Sequence, residues 1–185
     1  KDDNYKKFIS DELKGWKIEK FTDIIKSEAI NLEKLSLDFT PLGSNDLINK
    51  MIFNRNSCVK GLAGNGKSTF IMDKLIPKIL EKGESYEVLT PSNDTAAEYR
   101  KRDLKVSVVQ KYQYNHILPN IQHCIVDEMG MIGSSDWNTI VRLILLGVKV
   151  YAFGDFDQLP PVKSKKITKN FLHSIFESQV VFTEN

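Results

Sequence analysis

Gly61-Leu62-Ala63-Gly64-Asn65-Gly66-Lys67-Ser68 is the stretch that decides how this chain is read. Glycines at its first and sixth places, followed by a lysine and a hydroxyl residue, let the backbone wrap closely around an anion. The N–H groups at the start of the next helix face that anion, and the aligned peptide dipoles favour negative charge there. Lys67 is placed to reach the outer phosphates of a nucleotide, and the Ser68 hydroxyl to hold Mg2+. The candidate nucleotide-binding residues are therefore Gly61, Leu62, Ala63, Gly64, Asn65, Gly66, Lys67, Ser68 and, next in the helix, Thr69. Average residue frequencies put a chance match in a chain of this length at about 1%. A plain glycine-rich turn would not explain the flanks: an apolar run at 57–60 delivers the loop, and a helical pattern over 67–81 leaves it.

Outward from the loop, apolar runs at 57–60, 86–89, 106–109, 123–126, 148–153 and 179–182 alternate with helical patterns at 67–81, 94–102 and 135–146. Apolar strands joined by helix-length connections predict an α/β fold, a parallel sheet with helices on both faces. Ligands of such sheets bind at the C-terminal ends of the strands. One run, Cys124-Ile125-Val126, ends there in Asp127-Glu128. Asp127 is the candidate to hold Mg2+, directly or through water, and Glu128 to polarise an attacking water. The run 148–153 leads into Gly154-Asp155-Phe156-Asp157-Gln158-Leu159-Pro160-Pro161-Val162. The prolines stiffen this loop by fixing φ. The Gln158 amide, both donor and acceptor, is suited to sense a terminal phosphate. Lys67, Glu128 and Gln158 are the candidate catalytic residues.

Composition narrows the setting. The 185 residues suffice for one domain with a sizeable core plus a small appendage. No apolar run approaches the ~20 residues of a membrane span, and nothing at the start resembles a signal peptide. Cys58 and Cys124 fall in strand-like runs and read as buried, reduced thiols, which suits an intracellular, reducing compartment. A net charge of +2 neither demands nor excludes a nucleic-acid partner.

Taken in order, the phosphate loop, Asp127-Glu128 and the Gly154-Asp155-x-x-Gln158-Leu159-Pro160-Pro161-Val162 segment resemble superfamily 1 helicases. The order resembles the RecD/Dda-like branch especially, and it is also similar to the superfamily 1 helicases of viral replication proteins. The resemblance covers about residues 42–185. It implies a RecA-like P-loop domain that uses ATP and Mg2+ to move on single-stranded DNA or RNA and to unwind duplexes. It further implies that Thr90, Pro91, Ser92 and Asn93, within the segment running to Ala97, contact the strand. Val109-Gln110-Lys111 stands where the family usually has Thr-x-His, so Gln110 is a departure. Asn45 is the nearest counterpart of a Gln that reads adenine in the family. Tyr112 to Gln122 leaves little room for an inserted duplex-splitting hairpin. The final Phe182-Thr183-Glu184-Asn185 resembles a family segment that ends in a catalytic Arg. The resemblance therefore implies that a second RecA-like domain of the same polypeptide supplies arginine fingers, and that this chain by itself is nearly inactive.

The residues add their own candidates for a strand-binding surface. Tyr112 and Tyr114 either stack on a base or cover the core edge. Lys163, Lys165, Lys166 and Lys169 form a basic cluster that is either a solvated loop or a phosphate contact. Residues 1–41 look helical: Ile9, Leu13 and Trp16 fall at i, i+4 and i+7, and Phe21, Ile24 and Ile25 begin a second amphipathic stretch. Phe39-Thr40-Pro41-Leu42-Gly43 breaks that pattern and reads as a boundary. An accessory element, a linker and a dimer contact all remain open for residues 1–41, as do DNA against RNA and the direction of travel.

Overall fold

The computed structural model describes residues 40–42, 56–113, 120–155 and 169–183. The chain divides into two units, Lys1–Asp38 and Phe39–Asn185, and every described residue lies in the second. The helical reading of residues 1–39 falls outside the described residues, as do Asn45, Tyr114, Gln158, Lys163, Lys165 and Lys166.

Seven strands form one sheet: β1 (Thr40–Leu42), β2 (Ser57–Lys60), β3 (Tyr86–Thr90), β4 (Val106–Val108), β5 (His123–Val126), β6 (Lys149–Gly154) and β7 (Ser178–Phe182). Their order is β1-β7-β2-β6-β5-β3-β4, and every pairing is parallel. The expected RecA-like P-loop α/β architecture is the one observed. One element differs from the sequence reading. Thr40-Pro41-Leu42 is not only a break, because it pairs with Val180–Phe182 as an edge strand. An edge is where a proline, which has no N–H to give to a ladder, is tolerated.

The helices are α1 (Lys67–Phe70, continuing through a π-helical Ile71–Leu75 into Ile76–Glu81), α2 (Asn93–Arg100), α3 (Val109–Gln113), α4 (Ser134–Leu145) and α5 (Lys169–Ile175). Pro77 lacks an N–H and crowds the turn before it, and α1 passes it by widening over Ile71–Leu75. Because side chains alternate along a strand, neighbouring strand residues serve opposite cores. Val59, Val88, Ile125, Tyr151 and Phe153 pack with Phe70, Leu75 and Ile79 of α1 and Tyr99 of α2. Cys58, Leu89, Cys124, Val126 and Val150 pack with Tyr112 of α3, Trp137 and Ile140 of α4, and Leu172 of α5. Helices thus cover both faces, which is why the strands read as unbroken apolar runs. The two cysteines are free and buried. Among the described residues, no helix is long and apolar enough to cross a membrane.

Candidate functional site

β6 lies between β2 and β5. The strand that delivers the glycine loop and the strand that delivers the acidic pair are therefore two strand spacings apart, about 10 Å. The Gly61 N–H donates to the Gly154 carbonyl at 3.1 Å, which carries the β2–β6 ladder one bond into the loop. On its other side Gly154 lets the turn after Glu128 come close: a Cβ there would lie 2.8 Å from the backbone nitrogen of Met129. Within the loop, Gly64 and Gly66 take φ values of 81° and 73°, the left-handed region that other residues avoid.

Lys67 opens α1 and is buried. Its ammonium donates to the carbonyls of Gly61 (2.8 Å) and Leu62 (2.6 Å), so it is held inside the curve of the loop. Burial lowers its pKa, opposed by the charges of Asp127, Asp155 and Glu128. Ser68 Oγ donates to Asp127 Oδ2 at 2.9 Å, joining the loop to the end of β5. Asp127 is fully buried, and its Oδ1 accepts the Glu128 N–H at 2.9 Å. Glu128 is half-buried with φ 52°, an uncommon conformation for a residue with a side chain, of the kind that gathers at functional sites. Its carboxylate accepts Thr95 Oγ1 at 3.1 Å. Lys67, Ser68, Asp127 and Glu128 line a cavity of about 400 Å³ that also takes in Gly64, Thr69, Glu98 and Asp155. The volume falls in the usual range for a small-molecule site.

The phosphate-loop residues and the acidic pair expected from the sequence therefore meet in one place. The strand-contact candidates fare differently. Tyr112 is buried in the core with Trp137, and burial, with Glu87 next, raises its pKa. Its ring covers the core edge and is not free to stack on a base. Gln110 is exposed and its amide donates to Asp136 Oδ2 of α4 at 3.1 Å, away from the cavity. The Thr90 hydroxyl is buried and donates to the Ser92 carbonyl. Ser92 caps α2, accepting the Thr95 N–H at 3.3 Å. Pro91 is half-buried, while Asn93 is exposed and accepts from Arg100 at 3.3 Å. Of the four expected contacts Thr90, Pro91, Ser92 and Asn93, Asn93 is the exposed one.

Two contributors, Asp155 and Tyr99, are missing from the candidates the sequence offers. Asp155 directly follows β6, and its place after the strand end was a visible signal. Thr95, expected within the strand-contact segment, turns instead to Glu128; Tyr99, four residues on along α2, shares its face, but nothing in the sequence aims that face at the acids. Tyr99 donates to Asp127 Oδ2 at 2.6 Å.

Residues 45–181 match the family model of the AAA domain. The chain belongs to that family. Its described unit is accordingly an AAA-type P-loop NTPase domain. No curated protein matches the sequence significantly. Among solved structures, the AAA domain chain is similar to AMPPCP-bound DnaA from Aquifex aeolicus, with 11% identity, a TM-score of 0.44, and 74% of this chain and 43% of that one covered. It is likewise similar to a replication initiator DnaA bound to AMPPCP and single-stranded DNA, with 12% identity, a TM-score of 0.45, and 75% and 43% covered. The chain thus spans under half the length of these proteins.

The donors in the cavity suit a hard divalent cation held partly by a nucleotide. Ser68 and Asp127 offer oxygen only, and Mg2+ characteristically takes one or two such groups together with phosphates and water.

Proposed function

We propose that this AAA domain binds and hydrolyses ATP with Mg2+, and that it is the first motor unit of a superfamily 1 helicase acting on single-stranded DNA or RNA. Gly61–Ser68 would cradle the phosphates, with Lys67 leaving the loop carbonyls for the β and γ oxygens. Ser68 and Asp127 would hold Mg2+, which neutralises phosphate charge when bound. Glu128 would orient the attacking water. Gln158 would sense the terminal phosphate, and a second RecA-like domain would supply arginine fingers. Lys165, Lys166 and Asn93 remain the candidate strand contacts.

The observation that most supports coupling to a strand is the bond from Thr95 to Glu128. It ties the helix that begins at the expected strand segment to the residue that would activate water. The order of the three motifs supports the helicase reading over a nucleotide kinase, which has no use for a Gly-Asp-x-x-Gln-Leu-Pro-Pro segment.

The test is ATP hydrolysis by the longer protein with and without single-stranded DNA and RNA oligonucleotides. Stimulation by a strand is expected, together with weaker strand binding, by fluorescence anisotropy, after Lys165→Ala and Lys166→Ala. The chain alone should hydrolyse at least about 10³ slower, the usual worth of an arginine finger. Hydrolysis that no strand alters would leave an AAA-type NTPase and remove the helicase.

A further inference from the structure

Tyr99 belongs to none of the motifs that point to a nucleotide, yet its side chain ends on the acid that would face the metal. Its hydroxyl donates to Asp127 Oδ2 at 2.6 Å, and both residues are wholly buried. The same oxygen accepts Ser68 Oγ at 2.9 Å, and the other carboxylate oxygen accepts the Glu128 N–H. Three donors from three elements thus fix one carboxylate.

The helix that carries Tyr99 is itself anchored. Ser92 caps its start, and just past its end Arg102 pairs with Asp73 of α1. One helical turn before Tyr99, Thr95 reaches Glu128. A single face of α2 therefore presents one hydroxyl to each member of the acidic pair. A phenylalanine would fill the same space in the core with Phe70 and Phe153 but would leave Asp127 one donor short.

We propose that Tyr99 is a positioning residue for the divalent metal, acting through Asp127: its hydroxyl fixes the carboxylate in the orientation that, with Ser68, receives the ion. This rests on the reading of Ser68 and Asp127 as the metal's holders. Partners that orient metal ligands from behind typically contribute about 10–100-fold to metal affinity.

The experiment measures Mn2+ affinity of the 185-residue chain with ADP present, by electron paramagnetic resonance. Tyr99→Phe should weaken Mn2+ by about 10–100-fold, while ADP affinity in EDTA stays at the unaltered chain's value. Thr95→Val, on the same helix face but directed at Glu128, should keep Mn2+ affinity, and Ser68→Ala should lose it. If Ser68→Ala weakens Mn2+ and Tyr99→Phe does not, the role of Tyr99 is refuted and the metal site stands. If neither weakens it, the metal site falls and the proposal with it. Equal weakening by Tyr99→Phe and Thr95→Val would mean a general disturbance of α2 and would also overturn it. Should Tyr99→Phe not fold, the assigned Tyr99 Cζ carbon resonance of the unaltered chain decides: Mg2+ added to the ADP complex should shift it, and no shift overturns the proposal.

Discussion

Gly154→Ala is the most searching single test of the site's geometry. An added Cβ would meet the Met129 backbone nitrogen and Cγ at 2.8 Å and the Gly130 nitrogen at 3.2 Å. The Met129 side chain can turn away, but the two backbone nitrogens cannot. Restoring an ordinary 3.4 Å contact from 2.8 Å requires a shift of 0.6 Å between the end of β6 and the turn after Glu128. Overpacking of this kind costs about 1–3 kcal/mol. For a unit of this size each kcal/mol lowers the melting temperature by roughly 2–4 °C, so a fall of about 2–12 °C is expected. The shift also moves Glu128, the residue before Met129. Since a misplacement of about 1 Å can cost about 100-fold in rate, hydrolysis in the longer protein should fall by about tenfold or more. Gly83→Ala is the matched comparison. Its φ is 71° with open space around it, so it carries a backbone cost of about 1–2 kcal/mol but no contact with the site. Thermal melting by circular dichroism, with hydrolysis measured alongside, checks both arms. A Gly154→Ala protein that melts with the wild type, or that loses no more activity than Gly83→Ala, would refute the close approach at Gly154.

Lys67→Ala should lower Mg-ATP affinity by about tenfold or more, the worth of a hydrogen bond to a charged group, with the fold retained because the ammonium contacts only two loop carbonyls; calorimetry with parallel circular dichroism checks both. His123 is buried between Tyr151 and Glu84, at 2.9 and 2.7 Å. Burial lowers its pKa from 6.5, followed by an opposing hydrogen bond and charge from Glu84, with Lys82 and Lys149 lowering it further. The unfolded chain then binds more protons than the folded one just below pH 6.5. This contribution to stability is complete above that pH and is lost as pH falls through the lower, folded value. Urea midpoints at neutral and mildly acid pH should show the loss, and His123→Gln should lessen it; an unchanged slope in the variant would assign the pH dependence elsewhere.

The sequence by itself determined the layered α/β fold and the centre of the site. Six of the seven strands were legible because strands buried on both faces must be apolar throughout, and the loop at Gly61–Ser68 because few other sequences can curl around a phosphate. Asp127 and Glu128 were legible because they end such a strand. What only the tertiary structure decided is which side chains from distant elements meet. Thr40–Leu42 is too short, and carries a proline, to read as a strand until β7 offers it an edge. Tyr112 is an aromatic that suits either a base or a core, and only the packing of α3 beside α4 sends it inward. Tyr99 looks like an ordinary residue of a helix's core face, and Thr95 like part of a polar run aimed at a strand. The crossover that lays α2 beside the end of β5 turns their hydroxyls onto the two acids, a consequence of sheet order. Residue type and local spacing encode what a side chain can do, while the partner it does it with is set by long-range packing.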